Sequence, residues 1–417
     1  MSRTFAVLSI LFSLLLAAIL VVPGVSAQAP GAEWQKTYGG VGFDMAWSMI
    51  QTADGGYAFA GEAQVNASGI NYAWLVKTDS FGNALWNKTY DGTFRSVIQT
   101  VDGGFAIAGM FANDFLLVKT DASGNGQWRR NYDRFKSSED RNMSGPQYYA
   151  WGLVQTVDGG YALTGTSNGY PESSSSDDVW FVKTDTNGNA LWNKTFGDGG
   201  ERVDYARDVV QTADGGYAIG GGTSSFGAGG QDAWIVKTDA YGNEQWNKTY
   251  GGATTDELGS LIQTNDGGFA LAASYGLVKT DSYGNEQWNK TYGGGFRSLV
   301  RTVDGGYALA GAIDSSGAGV YDFWFVKTDA DGNEQWNRTF GGAGQEQALS
   351  VVQALDGDYA LLGWTESYGA GNWDVWLIKT TAAVIPESPP VAMLTALTTL
   401  TSVFSLAFRK KLKLGEM

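Results

Sequence analysis

The turn signal Asp-Gly-Gly recurs at a step of about 50 residues, and this repetition constrains the fold more than any other feature. Its aspartates are Asp54, Asp102, Asp158, Asp214, Asp266 and Asp304, and a seventh copy reads Asp356-Gly357-Asp358. Each copy carries four short runs rich in β-branched and aromatic residues. In the fourth copy they are 208–212 (DVVQT), 217–221 (YAIGG), 234–238 (WIVKT) and 245–250 (QWNKTY). Asp-Gly-Gly joins the first two runs, as a tight hairpin requires, because glycine accepts positive φ. Asp239-Ala240-Tyr241-Gly242-Asn243 joins the last two. Four strands per repeat of this length describe one blade of a β-propeller.

The phase of the repeat sets the closure. The first run met is an isolated fourth run, Trp34 to Tyr38, and the last is a third run, Trp376 to Thr380. The early strand therefore completes the last blade, which leaves no open sheet edge between them. The expectation is an all-β, seven-bladed β-propeller of four-stranded blades over residues 28–381.

The run Asp239-x-x-Gly242-x-x-x-Trp246 resembles the tryptophan-docking repeat of PQQ-type, BamB-like propellers. In that family an Asp-x-x-x-Gly turn precedes a tryptophan that packs against the next blade. The turn here is one residue shorter, and the Gly-to-Trp step is the same. The matching residues are Trp86, Trp128, Trp192, Trp246, Trp288 and Trp336, with Trp34 for the split blade. The resemblance covers roughly Glu33 to Thr380 and implies the fold. It does not extend to the quinone cofactor, since the quinoprotein dehydrogenases have eight blades and usually a vicinal cysteine pair. No cofactor is expected.

Both ends read as targeting signals. Arg3, the apolar stretch Phe5 to Val22 and the small residues Val25-Ser26-Ala27 make 1–27 a signal peptide, with an uncleaved anchor as the alternative. Residues 382–390 form a Pro-rich linker. Residues 391–408 carry no charge, enough to just span a hydrocarbon core of roughly 30 Å. Residues 409–417 begin with Arg409, Lys410 and Lys411, which keep that end inside. This order resembles PEP-CTERM and PEF-CTERM sorting tails, although Ser388 stands where the archaeal motif prefers Phe. The resemblance implies cleavage near Pro386 to Pro390 by a sortase-like protease; a retained span is the alternative. Either way the expected location is the outer face of a cell membrane.

The chain has no cysteine and no histidine. Cys- or His-ligated zinc and haem, Cys nucleophiles and Ser-His-Asp triads are excluded. The net charge is −15, and without the two ends, which hold five basic and two acidic residues, it is −18. Such a surface repels nucleic acid.

By the family resemblance, the first strand of each blade lines the central channel. The near-invariant turns then share one face, and the variable loops share the other. Ligands concentrate on variable loops held by a rigid scaffold. One candidate there is the insertion from Arg129 to Tyr149, locally basic and aromatic; a solvated loop is the alternative. The other is the residue that begins each channel strand: Trp47, Arg95, Trp151, Arg207, Gly259, Arg297 and Leu349. Arginine gives bidentate contacts to carboxylate, and tryptophan stacks on sugar rings, so an acidic glycan or other anion fits. The alternative pairs these arginines with loop acids such as Asp44, Asp204, Glu257 and Glu346.

Two weaker motifs remain. Asp329, Asp331 and Asn333 resemble part of a calcium loop, with a plain turn as the alternative. Asn-x-Ser/Thr occurs at Asn66, Asn87, Asn142, Asn193, Asn247, Asn289 and Asn337. Five of these follow a docking tryptophan and so face outward where it faces inward. The function expected is a surface-anchored binding or adhesion scaffold for a glycan, envelope polymer or protein partner, and not an enzyme. The alternatives are a carbohydrate-active hydrolase or lyase, and a purely structural surface-layer protein.

Overall fold

A computed structural model of the chain describes residues 31–64, 71–133, 149–168, 177–199, 202–314 and 320–381. The expected signal peptide, linker, span and tail lie outside these residues, as do Asn66, Asn142 and loop 134–148. Among the described residues every regular element is a strand, β1 to β28, arranged in seven four-stranded antiparallel sheets. The protein is a seven-bladed β-propeller.

The fourth blade is β14 (Asp204–Gln211), β15 (Tyr217–Thr223), β16 (Asp232–Thr238) and β17 (Glu244–Tyr250), paired in that order. The first strands of the blades are β2 (Met45–Gln51), β6 (Thr93–Gln99), β10 (Ala150–Gln155), β14, β18 (Leu258–Gln263), β22 (Gly295–Arg301) and β26 (Glu346–Gln353). They contact one another in a closed circle and so line the channel. The split blade is present as expected. β1 (Ala32–Tyr38) pairs antiparallel with β28 (Asp374–Thr380), from Trp34 opposite Lys379 to Tyr38 opposite Val375. Thr381 N–H donates to Gly31 O at 2.9 Å, and Trp376 Nε1–H to Gln35 Oε1 at 3.1 Å.

The middle strands are covered on both sides, because blades stack face to face. This is why their runs are continuously apolar instead of alternating. Phe181 and Phe196 of the third blade, for example, pack with Tyr217, Ile219 and Trp234 of the fourth. Burying each such side chain contributes about 1.5–3 kcal/mol.

The docking tryptophans act as the family resemblance implies. Trp192 lies against Gly242 of the next blade, whose φ is +75° and where a Cβ would stand 2.6 Å from the indole. Trp34, Trp86, Trp128, Trp246 and Trp288 meet Gly82, Gly124, Gly188, Gly284 and Gly332 in the same way. A tyrosine at the end of the same strand secures the contact: Tyr250 O–H donates to Gly284 O at 2.8 Å, and Tyr132 O–H to Gly188 O at 2.7 Å. Trp336 differs. The split blade has no turn at that place, and Trp336 keeps only the aromatic part of the repeat's contact, on Phe325 and Tyr359, as Trp192 does on Phe181 and Tyr217.

The turn face is bonded alike from blade to blade. In the fourth, Lys237 Nζ donates to Asp214 at 2.8 Å and Thr212 O–H donates to the same carboxylate. A glutamine links six of the seven turns to the next blade, as where Ala213 N–H donates to Gln263 Oε1 at 2.9 Å; Arg301 stands at the seventh such position. Asp329 spends both oxygens on its own turn, taking N–H bonds from Asp331 and Asn333 and the Asn333 amide. Asp79 and Asp239 do the same, so the calcium-like motif has the geometry of the ordinary repeat turn. Among the described residues no group of three or more acidic side chains could hold a metal ion. Asn87, Asn193, Asn289 and Asn337 are exposed on outer strands, and Asn247 is half-buried.

Candidate binding site at the channel mouth

Each channel strand contains a β-bulge, and the bulged residue is in every case the one singled out from the sequence. Register shifts fall between Ala46 and Ser48, Phe94 and Ser96, Ala150 and Gly152, and Ala206 and Asp208. They fall again between Leu258 and Ser260, Phe296 and Ser298, and Ala348 and Ser350. A bulge leaves its extra residue unpaired and re-aims the side chain. The opposing strand must then pass close by. A Cβ on Gly61, Gly109, Gly165, Gly221, Gly311 or Gly363 would collide with the carbonyl before the bulge. The bulge also explains why β14 begins at Asp204 and not at Asp208: the shift breaks the alternation by which a strand is read.

The bulged side chains converge. Trp47, Arg95, Trp151, Arg207, Arg297, Gly259 and Leu349 all line one open cavity of about 430 Å³ at the variable face, with Ser48, Ser96, Ser260, Ser298 and Ser350 below them. A second cavity of about 410 Å³ adjoins it and shares Arg297 and Gln347.

The three arginines sit in two environments. Arg95 is buried and ion-paired with Glu62, and its guanidinium lies 4.5 Å from the Trp47 ring, 4.7 Å from Tyr149 and 5.0 Å from Trp151. Trp47 and Trp151 meet edge to face at 5.5 Å. Arg207 and Arg297 are half-buried and share one carboxylate: Arg297 Nη1 lies 2.7 Å from Glu257 Oε2, and Arg207 Nη2 3.6 Å from the same atom. Burial would raise the Glu257 carboxyl, but the two guanidinia outweigh it and hold it below its usual range. Of the four acids considered as partners, only Glu257 pairs. Asp44, Asp204 and Glu346 cap loops instead, accepting from Gly40 N–H, Thr223 O–H and Gly342 N–H. Glu62 was not foreseen, because its partner lies in the next blade.

Three donors at this mouth are buried and lack an acceptor among the described residues: Trp47 Nε1, Arg95 Nε and Arg207 Nε. An unmade bond of this kind costs about 1–3 kcal/mol. Tyr205 Oη beside Arg207 is also without a partner among the described residues and can accept as well as donate, so donors are in excess but not alone.

Asp208 was read only as a strand residue. It stands where five other blades have serine and the third has Gly152. Those serines tie adjacent strands: Val97 N–H donates to Ser48 Oγ at 3.2 Å and Val351 N–H to Ser298 Oγ at 3.1 Å. Gly152 offers no acceptor, and Asp208 Oδ1 takes Val209 N–H itself at 2.8 Å, while Oδ2 takes Leu261 N–H and Ser260 O–H at 2.9 and 3.1 Å. Burial pushes its carboxyl up to about 6.

The expected docking insertion is divided. Arg129 and Arg130 belong to strand β9 (Gly126–Tyr132), where Arg129 lies over Phe111 at 3.7 Å and Arg130 over Trp128 at 5.4 Å. This corrects their reading as loop residues. Tyr149 joins the arginine cage at the mouth.

Fold and mouth together define a propeller with a donor-rich cavity on its loop face. No family model matches the sequence, and no curated protein matches it. Solved structures do match. Puromycin hydrolase aligns at 13% identity and TM-score 0.52, over 81% of this chain and 53% of that one. YCF48, bound to D1 peptide, aligns at 14% identity and TM-score 0.50, over 86% of this chain and 100% of that one. BamB from Moraxella catarrhalis aligns at 13% identity and TM-score 0.43, over 83% and 88%. At these identities the likeness is one of fold.

Proposed function

We propose that the protein is a binding propeller, tethered to the outer face of a cell membrane, whose channel mouth takes an acidic ligand bearing a carboxylate. One observation carries the reading: buried donors without acceptors converge with two arginines that share a single glutamate. A ligand carboxylate supplies the missing acceptors, and charge-assisted bonds to guanidinium are the strong kind. Among the described residues the cavity wall carries one carboxylate, Asp208, which supports binding over hydrolysis by a carboxylate pair. YCF48, of similar fold, is bound to a peptide, which supports a propeller face as a peptide receptor. Sugar acids and acidic peptides are thus both ligands to assay.

The test is titration of the purified chain with uronic-acid oligosaccharides and acidic peptides. Arg207→Ala with Arg297→Ala is expected to weaken binding by 10-fold or more, about 1.4 kcal/mol or above. Glu257→Gln removes the internal competitor and is expected to tighten it. Binding that survives the double change, or that weakens with Glu257→Gln, refutes the site.

A further inference from the structure

We infer that the turn face is a membrane-docking surface, so that the propeller rests on a lipid bilayer with the channel mouth pointing away. The inference rests on the tether of the preceding reading and goes beyond it, because a tether alone leaves the ring free to tumble.

The first observation is where the chain enters and leaves the ring. β1 is a fourth strand and β28 a third strand, so Gly31 and Thr381 both lie at the turn face, hydrogen-bonded to each other. An uncleaved signal and a C-terminal span would therefore hold the same face toward the membrane. In the sequence nine residues, 382–390, separate Thr381 from the uncharged stretch. Fully extended they reach about 30 Å.

The second observation is what that face displays. Nine of the fourteen exposed large apolar side chains among the described residues lie on or beside the turns. Val101, Val157, Val303 and Leu355 project from the Asp-Gly-Gly turns, 80 to 93% exposed. Phe81, Tyr241 and Tyr283 project from the outer turns, 65 to 74% exposed. The inner tips are held rigidly: the backbone N–H of Val101, Val157, Val303 and Leu355 each donates to a glutamine of the next blade. Rigid apolar and tyrosine tips on a common face suit the interfacial zone of a bilayer.

Charge selects the lipid. The third-strand lysines, Lys77 and Lys237 among them, are spent on the inner-turn aspartates, while Lys36, Lys88, Lys194, Lys248 and Lys290 lie along the outer turns that carry Asp79, Asp121, Asp239, Asp281 and Asp329. A face that interleaves both signs of charge fits zwitterionic headgroups.

The chain has no cysteine, so single labels are clean. Val157→Cys marks the turn face, and Thr254→Cys marks the loop between β17 and β18 on the opposite face. The full-length chain is reconstituted in phosphatidylcholine vesicles, and an environment-sensitive dye at each site is quenched by lipids brominated near the headgroup. The expected result is quenching at least two-fold stronger at 157 than at 254. It falls to the level at 254 when Tyr283→Ser and Val303→Ser are added, with the chain still floating with the vesicles. Equal quenching at both sites in a vesicle-bound chain, or stronger quenching at 254, overturns the docking while leaving the tether intact. A chain that does not float with vesicles removes the tether, and this inference with it.

Discussion

Replacing Gly284 by alanine separates the two roles of the outer-turn glycine. Gly284 lies between β20 (Gly276–Thr280) and β21 (Glu286–Thr291) at φ +76°. An alanine Cβ there would stand 2.6 Å from Cζ3 and 2.8 Å from Cη2 of Trp246. Gly103 has nearly the same backbone, φ +82°, with nothing within 4 Å of its Cβ position. The left-handed conformation costs an L-residue about 1–2 kcal/mol at either place. Only at Gly284 must the indole also yield, and Trp246 is held on its far side by Phe269, ring to ring at 5.8 Å. Overpacking of this kind adds about 1–3 kcal/mol. Gly103→Ala should therefore cost about 1–2 kcal/mol and Gly284→Ala about 2–5. Urea unfolding followed by circular dichroism gives both values from the midpoint and slope. A cycle with Trp246→Ala isolates the contact: in that background Gly284→Ala should cost no more than Gly103→Ala. Equal losses in the wild-type background, or an undiminished loss without the indole, would refute the docking argument.

Phe196 occupies the place where Tyr132 and Tyr250 donate to the next blade's turn, so Phe196→Tyr should stabilise by about 0.5–1.5 kcal/mol. Phe340→Tyr should not, because no such turn follows it; urea midpoints check the pair. Stability should peak near pH 4–5. Burial favours the neutral form of Asp54, Asp102, Asp158, Asp214 and Asp266, but threonine, lysine and glycine donors prevail and hold them at about 2. These values lie below the unfolded value of about 3.9, so the stabilisation is present above about pH 4 and is lost as pH falls toward 2. Solvent screening leaves each worth a fraction of a kcal/mol. Asp208, raised to about 6 by burial, runs the other way: the fold prefers its protonated form, and stability declines as pH rises from about 4 through 6. Thermal melts stepped through pH should show both limbs, with the upper one flattened in Asp208→Asn; a wild-type profile flat from pH 5 to 7 contradicts this.

The architecture was legible because its signals repeat. Six Asp-Gly-Gly turns and the variant Asp356-Gly357-Asp358 fix the blade count, and a run such as WQKTY without partners in its own repeat fixes the closure. The mouth residues were legible for the opposite reason: at one fixed place in each copy the side chain changes from Trp to Arg to Gly to Leu. The bulge itself was not legible, because an alternation of two cannot register one extra residue. Its trace was present in the glycine of six of the seven second strands, Gly61 or Gly221 for example, yet a strand glycine reads as weakness until the opposing carbonyl is in view. Glu257 was legible as one of four loop acids near these arginines, and Glu62 was harder still. Its meaning depends on Arg95 of the next blade, 33 residues on, and no local pattern encodes such a pairing.

The two faces differ in what a substitution breaks. On the turn face, Lys237 binds Asp214 and Gln245 while Gln263 clasps the neighbouring blade. A change at one such position disturbs two turns at once, so the repeats are held alike. On the loop face the bulge hands one side chain per blade to the channel without using it in the sheet. At Gly259 a Cβ would collide with the Phe296 carbonyl, so that place is held to glycine; at the other six the fold asks only for room in the mouth. Trp47, Arg95, Trp151, Arg207, Arg297 and Leu349 are thus six adjustable positions on one rigid circle. Ligand chemistry can change there without altering the ring, and three of these varied side chains, Trp47, Arg95 and Arg207, carry the unsatisfied donors.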